Sequence, residues 1–284
     1  MSKSFYSENE ENNFNSLNDF EFLIKHYACE APSLKDALIE LFRNGGATPK
    51  EAEEIYDHLY LMCKNQVDNN WSLIKEQNKD ISKNDAMIIS SYTYEPKTMY
   101  EKFSPYRLLN TNLVAANRKN GVQNIEKYLF IFLRALRRLT KCKKNCLFRC
   151  ITNKVKLEKD PNNSKYIPYK AGNNKVFWAF TSTSYEEKEA ENFLGNGTGT
   201  KYRIVGDNLF GYDITLFNVC GEKEILLEPE RKYKIEYVKN NNNIIEVTCK
   251  INDDSKILGI CDKVLKKIVN KYIIFFWLVP CKKL

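Results

Sequence analysis

Apolar residues recur at helical spacing in three places in the first half of the chain. Leu34, Ala37, Leu38 and Leu41 share one helical face, Ser33 with Asp36 caps its start, and Asn44-Gly45-Gly46 ends it. Thr48 caps the next helix, Pro49 takes its first turn, and Glu51 completes a capping box. Ala52, Ile55, Tyr56, Leu59 and Met62 form its buried stripe, so these two segments predict a helical hairpin. The third stripe is Ile125, Tyr128, Leu129, Phe132, Leu133, Leu136 and Leu139. Arg134, Arg137, Arg138 and Lys141 lie opposite it and toward its C-terminal end, where cations complement the helix dipole, and they are read as a solvated face.

After Lys144 the period changes. Short β-rich runs, CLFRCI, VFWAFTSTS, YRIVG, YDITLFNV, EILLEP, YKIEYV and IIEVTCKI, are separated by Gly, Asn and Pro. They predict a compact, largely antiparallel sheet assembly, and helices followed by strands make the fold class α+β. Four stretches follow: a polar leader over 1–30 read as disordered, a helical region over 31–145, a β-rich core over 146–250, and a basic and apolar segment over 251–284 with no assigned role. The first 20 residues have no apolar core of the kind a secretory signal carries. The apolar run Tyr272–Val279 falls far short of the roughly 20 residues that span a bilayer, so no membrane span is expected.

Composition narrows the chemistry. The 284 residues are 43% hydrophobic, enough for a sizeable core, and the net charge of +8 is a modest excess on a heavily charged surface. It suits an anionic ligand, and without a clustered stripe or stacking aromatics it does not point to nucleic acid. Nine cysteines without a secretory signal are read as reduced thiols of a cytoplasmic protein. Cys142, Cys146 and Cys150 recur every fourth residue, yet no neighbouring histidine or fourth cysteine completes a tetrahedral site, so no metal is expected. His26 and His58 are read as surface or packing residues.

Three pieces of the β-rich half carry candidate chemistry: Arg149 in LFRC, Ser182 in FTSTS, and Glu222 with Glu224 in GEKEILLEP. Each alone has an ordinary structural reading, as an ion-pair partner, a strand edge or a solvated face. Two-residue periodicity sets both carboxylates on one face, about 6.5–7 Å apart along an extended chain, at the mouth of the buried run Ile225-Leu226-Leu227. Cleaving a nicotinamide–ribose bond passes through an oxocarbenium-like state and releases a neutral leaving group, so one carboxylate suffices at the ribose. A second is free to orient an acceptor guanidinium and relieve it of a proton. A strand-borne arginine offers a planar fork for phosphate oxygens.

The ordered set of arginine, S-T-S and E-x-E resembles the R-S-E group of mono-ADP-ribosyltransferases, which includes arginine-specific enzymes. GNNKVFWAFTSTS and GEKEILLEPERKYKI resemble that family's segments around the S-T-S strand and the catalytic glutamate, and AMIISSYTYE with YRLLN resembles its helical approach region, so the similarity spans approximately residues 86–238. The resemblance implies a split β-sandwich core that binds NAD⁺, with the N-terminal helices packed alongside. It also implies that Arg149 anchors the ribose–phosphate region of NAD⁺, that Ser182 supports the nicotinamide ribose and the glutamate, that Glu224 is the catalytic carboxylate, and that Glu222 selects and activates arginine. The partners implied are NAD⁺ as co-substrate and an arginine-containing acceptor protein. NAD⁺ glycohydrolysis and non-catalytic NAD⁺ binding are the alternatives. Where the family commonly has glycine after the motif arginine this chain has Cys150, whose side chain is expected to crowd the nucleotide. Ser184 is read as the cap of a helix through Ala190 and Phe193.

Overall fold

The computed structural model describes residues 31–96, 98–115, 118–158, 168–194 and 197–251. The leader, His26 and the apolar run Tyr272–Val279 lie outside them. Helix α1 (Leu34–Asn44) starts where Ser33 Oγ accepts from the Asp36 amide at 3.1 Å. Helix α2 (Pro49–Gln77) opens on the capping box of Thr48 and Glu51, as the sequence predicts. It runs longer than its first apolar stripe, burying Ala52, Ile55, Leu59, Cys63, Val67 and Ile74. Met62 is instead 40% exposed, and Cys63 takes the buried position beside it.

Helix α3 (Lys83–Tyr92) is buried continuously from Asp85 to Tyr92, as befits the central rod of the helical region. A short 3₁₀ turn (Thr98–Phe103) leads into α4 (Pro105–Leu113) and α5 (Arg118–Leu136). The third sequence stripe is α5, which stops three residues short of Leu139. On the face read as solvated, Arg138 is exposed while Arg134 and Arg137 are half-buried.

The strands are β1 (Lys141–Ile151), β2 (Asn174–Phe177), β3 (Thr181–Thr183), β4 (Gly199–Asp213), β5 (Ile225–Leu227), β6 (Arg231–Asn241) and β7 (Ile244–Lys250), with a short helix α6 (Glu187–Glu191) between β3 and β4. Their order is β2-β6-β7-β4-β5-β3, and β1 pairs with β4. Strand β4 is where the sheet splits. Along one edge it pairs with β1 from Thr200 to Tyr212; along the other, Gly199–Val205 pairs with β7 and Tyr212–Asp213 with β5. The β4–β7 pair is parallel, an exception to the otherwise antiparallel assembly.

The run VFWAFTSTS therefore holds two strands, because the chain crosses from one arm of the sheet to the other at Trp178–Phe180: β2 pairs with β6 and β3 with β5. Likewise YDITLFNV is the end of β4 followed by a 3₁₀ turn at Thr215–Phe217, not one strand. Asp213 Oδ1 accepts from the Thr215 amide at 3.0 Å and turns the chain there. Three cysteines along β1 at four-residue spacing stand roughly 13 Å from one to the next, too far to meet at one ion.

Two main apolar cores result among the described residues, beside a small cluster of Cys150, Ala190 and Leu194. One joins the helices to Phe180, Tyr212, Ile214, Phe217 and Leu226; the other lies within the sheet arms and includes Ile225, Leu227, Tyr202, Ile204 and Val247. Alternate residues of β5 thus face opposite sides, with Leu226 toward the helices. Aromatic rings fasten the halves: Phe180 meets Phe132 edge-on at 5.0 Å and Tyr92 edge-on at 5.9 Å, and within the helical half Tyr92 stacks on Phe132 at 4.7 Å. Asn110 Oδ1 accepts from the Phe180 amide at 3.2 Å.

Candidate active site

A cleft of about 430 Å³ opens between α3–α4 and the β1–β3–β5 arm, within the range of about 300–1,000 Å³ common for ligand sites. Arg149, Ser182, Glu222 and Glu224 all line it, so the four residues singled out in the sequence meet at one place. Cross-strand bonds fix two of them. The Phe148 and Ser184 backbones exchange hydrogen bonds of 2.7 and 2.8 Å, and Arg149 Nη1 donates to the Ser182 carbonyl at 2.8 Å. The guanidinium is thereby held against the serine's backbone across the single bridge that joins β1 to the end of β3.

Glu224 precedes β5 by one residue. Gly211 lets β4 approach closely here, since a Cβ at that position would stand 2.6 Å from Ile225 Cγ2. Both ends of the loop before β5 are tied, because the Ile214 amide donates to the Glu224 carbonyl at 3.0 Å and the Glu224 amide to Thr215 Oγ1 at 3.2 Å. The Glu224 side chain is 6% exposed. Burial pushes its carboxyl up to about 7, and the Glu222 charge acts the same way, while hydrogen bonds from Ser182 and Asn218 and the charge of Arg149 hold it lower.

Glu222 sits at the open side of the cleft. Surrounding protein raises its carboxyl above the usual range, and the charges of Glu95 and Glu189 add to the effect, against a hydrogen bond from Asn218. Glu95 is itself oriented by Tyr106, whose hydroxyl donates to it at 2.5 Å.

Asn218 is the residue that sequence reasoning missed. Its Nδ2 donates to Glu224 Oε2 at 3.0 Å, and its Oδ1 accepts from the amides of Cys220 at 2.9 Å and Glu222 at 3.3 Å. One buried amide therefore orders both carboxylate-bearing positions. The signal was present as N-V-C-G, since an asparagine whose side chain folds back on the following amides is an Asx-turn former and Gly221 takes φ 77°.

Two expectations change. Ser184 does not cap the next helix: Glu186 stands at the N-cap of α6 without a side-chain cap bond, and Ser184 Oγ accepts from the Glu186 amide in a tight turn. The Ser184 backbone is committed to Phe148 and so places the chain before the helix begins. Cys150 forms part of the cleft wall but is 7% exposed and packs against Ala190 and Leu194, so much of its bulk is directed into the wall. His58 pairs through Nδ1 with the Tyr94 hydroxyl at 2.6 Å, a packing role.

No family model matches the sequence, and no curated protein matches it. Among solved structures, the type III effector XopAI from Xanthomonas axonopodis pv. citri aligns with a TM-score of 0.53 at 14% identity, over 85% of this chain and 95% of that one. The chain shares the fold of XopAI. A looser likeness links it to Vis toxin, an ADP-ribosyltransferase from Vibrio splendidus, with a TM-score of 0.46 at 19% identity over 72% of this chain and 88% of that one. The ADP-ribosyltransferase HopU1 of Pseudomonas syringae pv. Tomato gives a TM-score of 0.48 at 17% identity over 67% and 86%. Among the described residues, no helix is long and apolar enough to cross a membrane.

Proposed function

We propose that the protein is a mono-ADP-ribosyltransferase that cleaves NAD⁺ at its nicotinamide–ribose bond and passes ADP-ribose to arginine side chains. The observation that carries this reading is one buried carboxylate, Glu224, held by Ser182 and Asn218 in a cleft beside Arg149, with a second carboxylate, Glu222, on the open side. The residues suit NAD⁺: a fixed guanidinium for its phosphates, and a carboxylate in low dielectric for a ribose that becomes cationic.

In this reading Arg149 binds the ribose–phosphate region, and its bond to the Ser182 carbonyl sets its direction. Ser182 and Asn218 aim Glu224, which stabilises positive charge as the glycosidic bond lengthens and neutral nicotinamide departs with the bonding electrons. Burial makes that stabilisation strong because little water screens it. Glu222 orients the acceptor guanidinium and takes the proton released as its nitrogen bonds to the ribose carbon. Helices α1–α5 support the site and the strands from β1 onward form the NAD⁺-binding core, so the boundary lies at Lys141, where β1 begins, and not after residue 145.

Incubation of the purified protein with NAD⁺ labelled in its ADP-ribose moiety and agmatine, a small guanidino acceptor, tests the reading. Labelled agmatine is expected. Free ADP-ribose alone would make the protein a glycohydrolase, and unconsumed NAD⁺ would remove the enzymatic reading.

A further inference from the structure

The loop that carries Glu222 is held from outside the sheet. Thr93, directly after α3, is 6% exposed, and its hydroxyl accepts from the Val219 amide at 3.0 Å. The same hydroxyl donates to the Ser90 carbonyl at 2.9 Å, and the Phe217 carbonyl lies 3.4 Å away. The Thr93 carbonyl in turn accepts from the Cys220 thiol at 3.6 Å. Gln66 of α2 adds a donor to the Leu216 carbonyl at 3.0 Å. Residues 216–220 are thus anchored to two helices. Glu224 shares that anchor through Asn218 Nδ2 but is held besides by Thr215, Ser182 and strand β5, whereas the Glu222 backbone is tied to the loop by its amide's bond to Asn218 Oδ1.

From this asymmetry we infer that Thr93 is a positioning residue for acceptor transfer: its hydroxyl, through the Val219 amide, sets where Glu222 stands in the cleft. The inference rests on the transferase reading and deepens it, by giving the helical region a part in acceptor use. The chemistry is specific to a hydroxyl. Valine has nearly the same shape but offers the Val219 amide no acceptor, and an amide left unbonded in a half-buried loop pulls that loop toward water. Serine keeps the acceptor. A shift of about 1 Å in a group that orients a reactant is enough to cost much of its effect.

The test compares wild type with Thr93→Val and Thr93→Ser. With NAD⁺ and agmatine, the ratio of transfer to NAD⁺ hydrolysis is expected to fall about tenfold in Thr93→Val, chiefly through the Michaelis constant for agmatine, and to return in Thr93→Ser. Independently of activity, alkylation of Cys220 by iodoacetamide, followed by mass spectrometry of its peptide, is expected to speed up in Thr93→Val and not in Thr93→Ser. Equal loss of both reactions, an unchanged ratio, a serine variant that behaves as the valine variant does, or unchanged Cys220 alkylation would each overturn the role of Thr93. A wild type that forms no ADP-ribosyl-agmatine would instead overturn the transferase reading and the acceptor role with it, and the Cys220 rates would still report whether Thr93 holds the loop.

Discussion

Replacing Glu224 by glutamine keeps its shape and its capacity to accept from Asn218, but removes a charge that the fold buries. The unfolded chain releases this proton near the ordinary 4.5, the folded protein at about 7. Between those values the unfolded state binds fewer protons, so the group's contribution to stability falls as pH rises and is fully adverse above about 7. The size is about 3 kcal/mol at the alkaline end, since each pKa step is worth about 1.4 kcal/mol. Glu224→Gln should therefore gain about 2–3 kcal/mol over wild type between pH 5 and pH 8. Urea unfolding of both proteins at the two pH values reads this difference directly. The same variant should lose at least about 100-fold in NAD⁺ turnover, while wild-type kcat/KM for NAD⁺ rises through a pH of about 7 as the carboxylate forms. Identical pH dependence of stability in the two proteins would show that Glu224 is not a desolvated carboxyl, and the electrostatic argument would fail with it.

Arg149→Lys should raise the Michaelis constant for NAD⁺, because lysine keeps the charge but loses the planar fork and the bond to the Ser182 carbonyl; steady-state kinetics with an unchanged constant and rate would leave Arg149 only a structural tie. Cys150→Gly should lower stability by roughly 1–2 kcal/mol, as contacts with Ala190 and Leu194 are lost and a strand gains a glycine, yet leave the rate per folded molecule unchanged or higher. Collapse of that rate in protein whose circular dichroism is intact would give the thiol a role in turnover.

Much of this was legible in the sequence because local chemistry and tertiary packing agree. Ser33, Thr48 and Glu51 cap the helices they should, and Glu222 and Glu224, expected on one face of an extended run, both line the cleft although the strand begins only at Ile225. The misreadings arise where burial is imposed from a distance. Ile214 and Phe217 are fully buried because a loop is docked beneath the helices, and buried apolar residues in a loop look like a strand on hydropathy alone. Similarly, nothing within VFWAFTSTS marks the crossing between sheet arms, since strand partners lie some 50 residues away in the sequence. Asn218 escaped notice because its importance is three hydrogen bonds made in one place, whereas its sequence signature is that of an ordinary turn.

The central claim is a division of labour, with Glu224 serving the ribose and Glu222 the acceptor. It is tested most directly by giving wild type and Glu222→Gln the same labelled NAD⁺ and agmatine and measuring ADP-ribosyl-agmatine and free ADP-ribose in each reaction. The account predicts that the variant loses transfer by at least about tenfold more than hydrolysis, because water needs no guanidinium site. If both products fall by the same factor, Glu222 belongs to the NAD⁺ site and arginine loses its physical claim to be the acceptor.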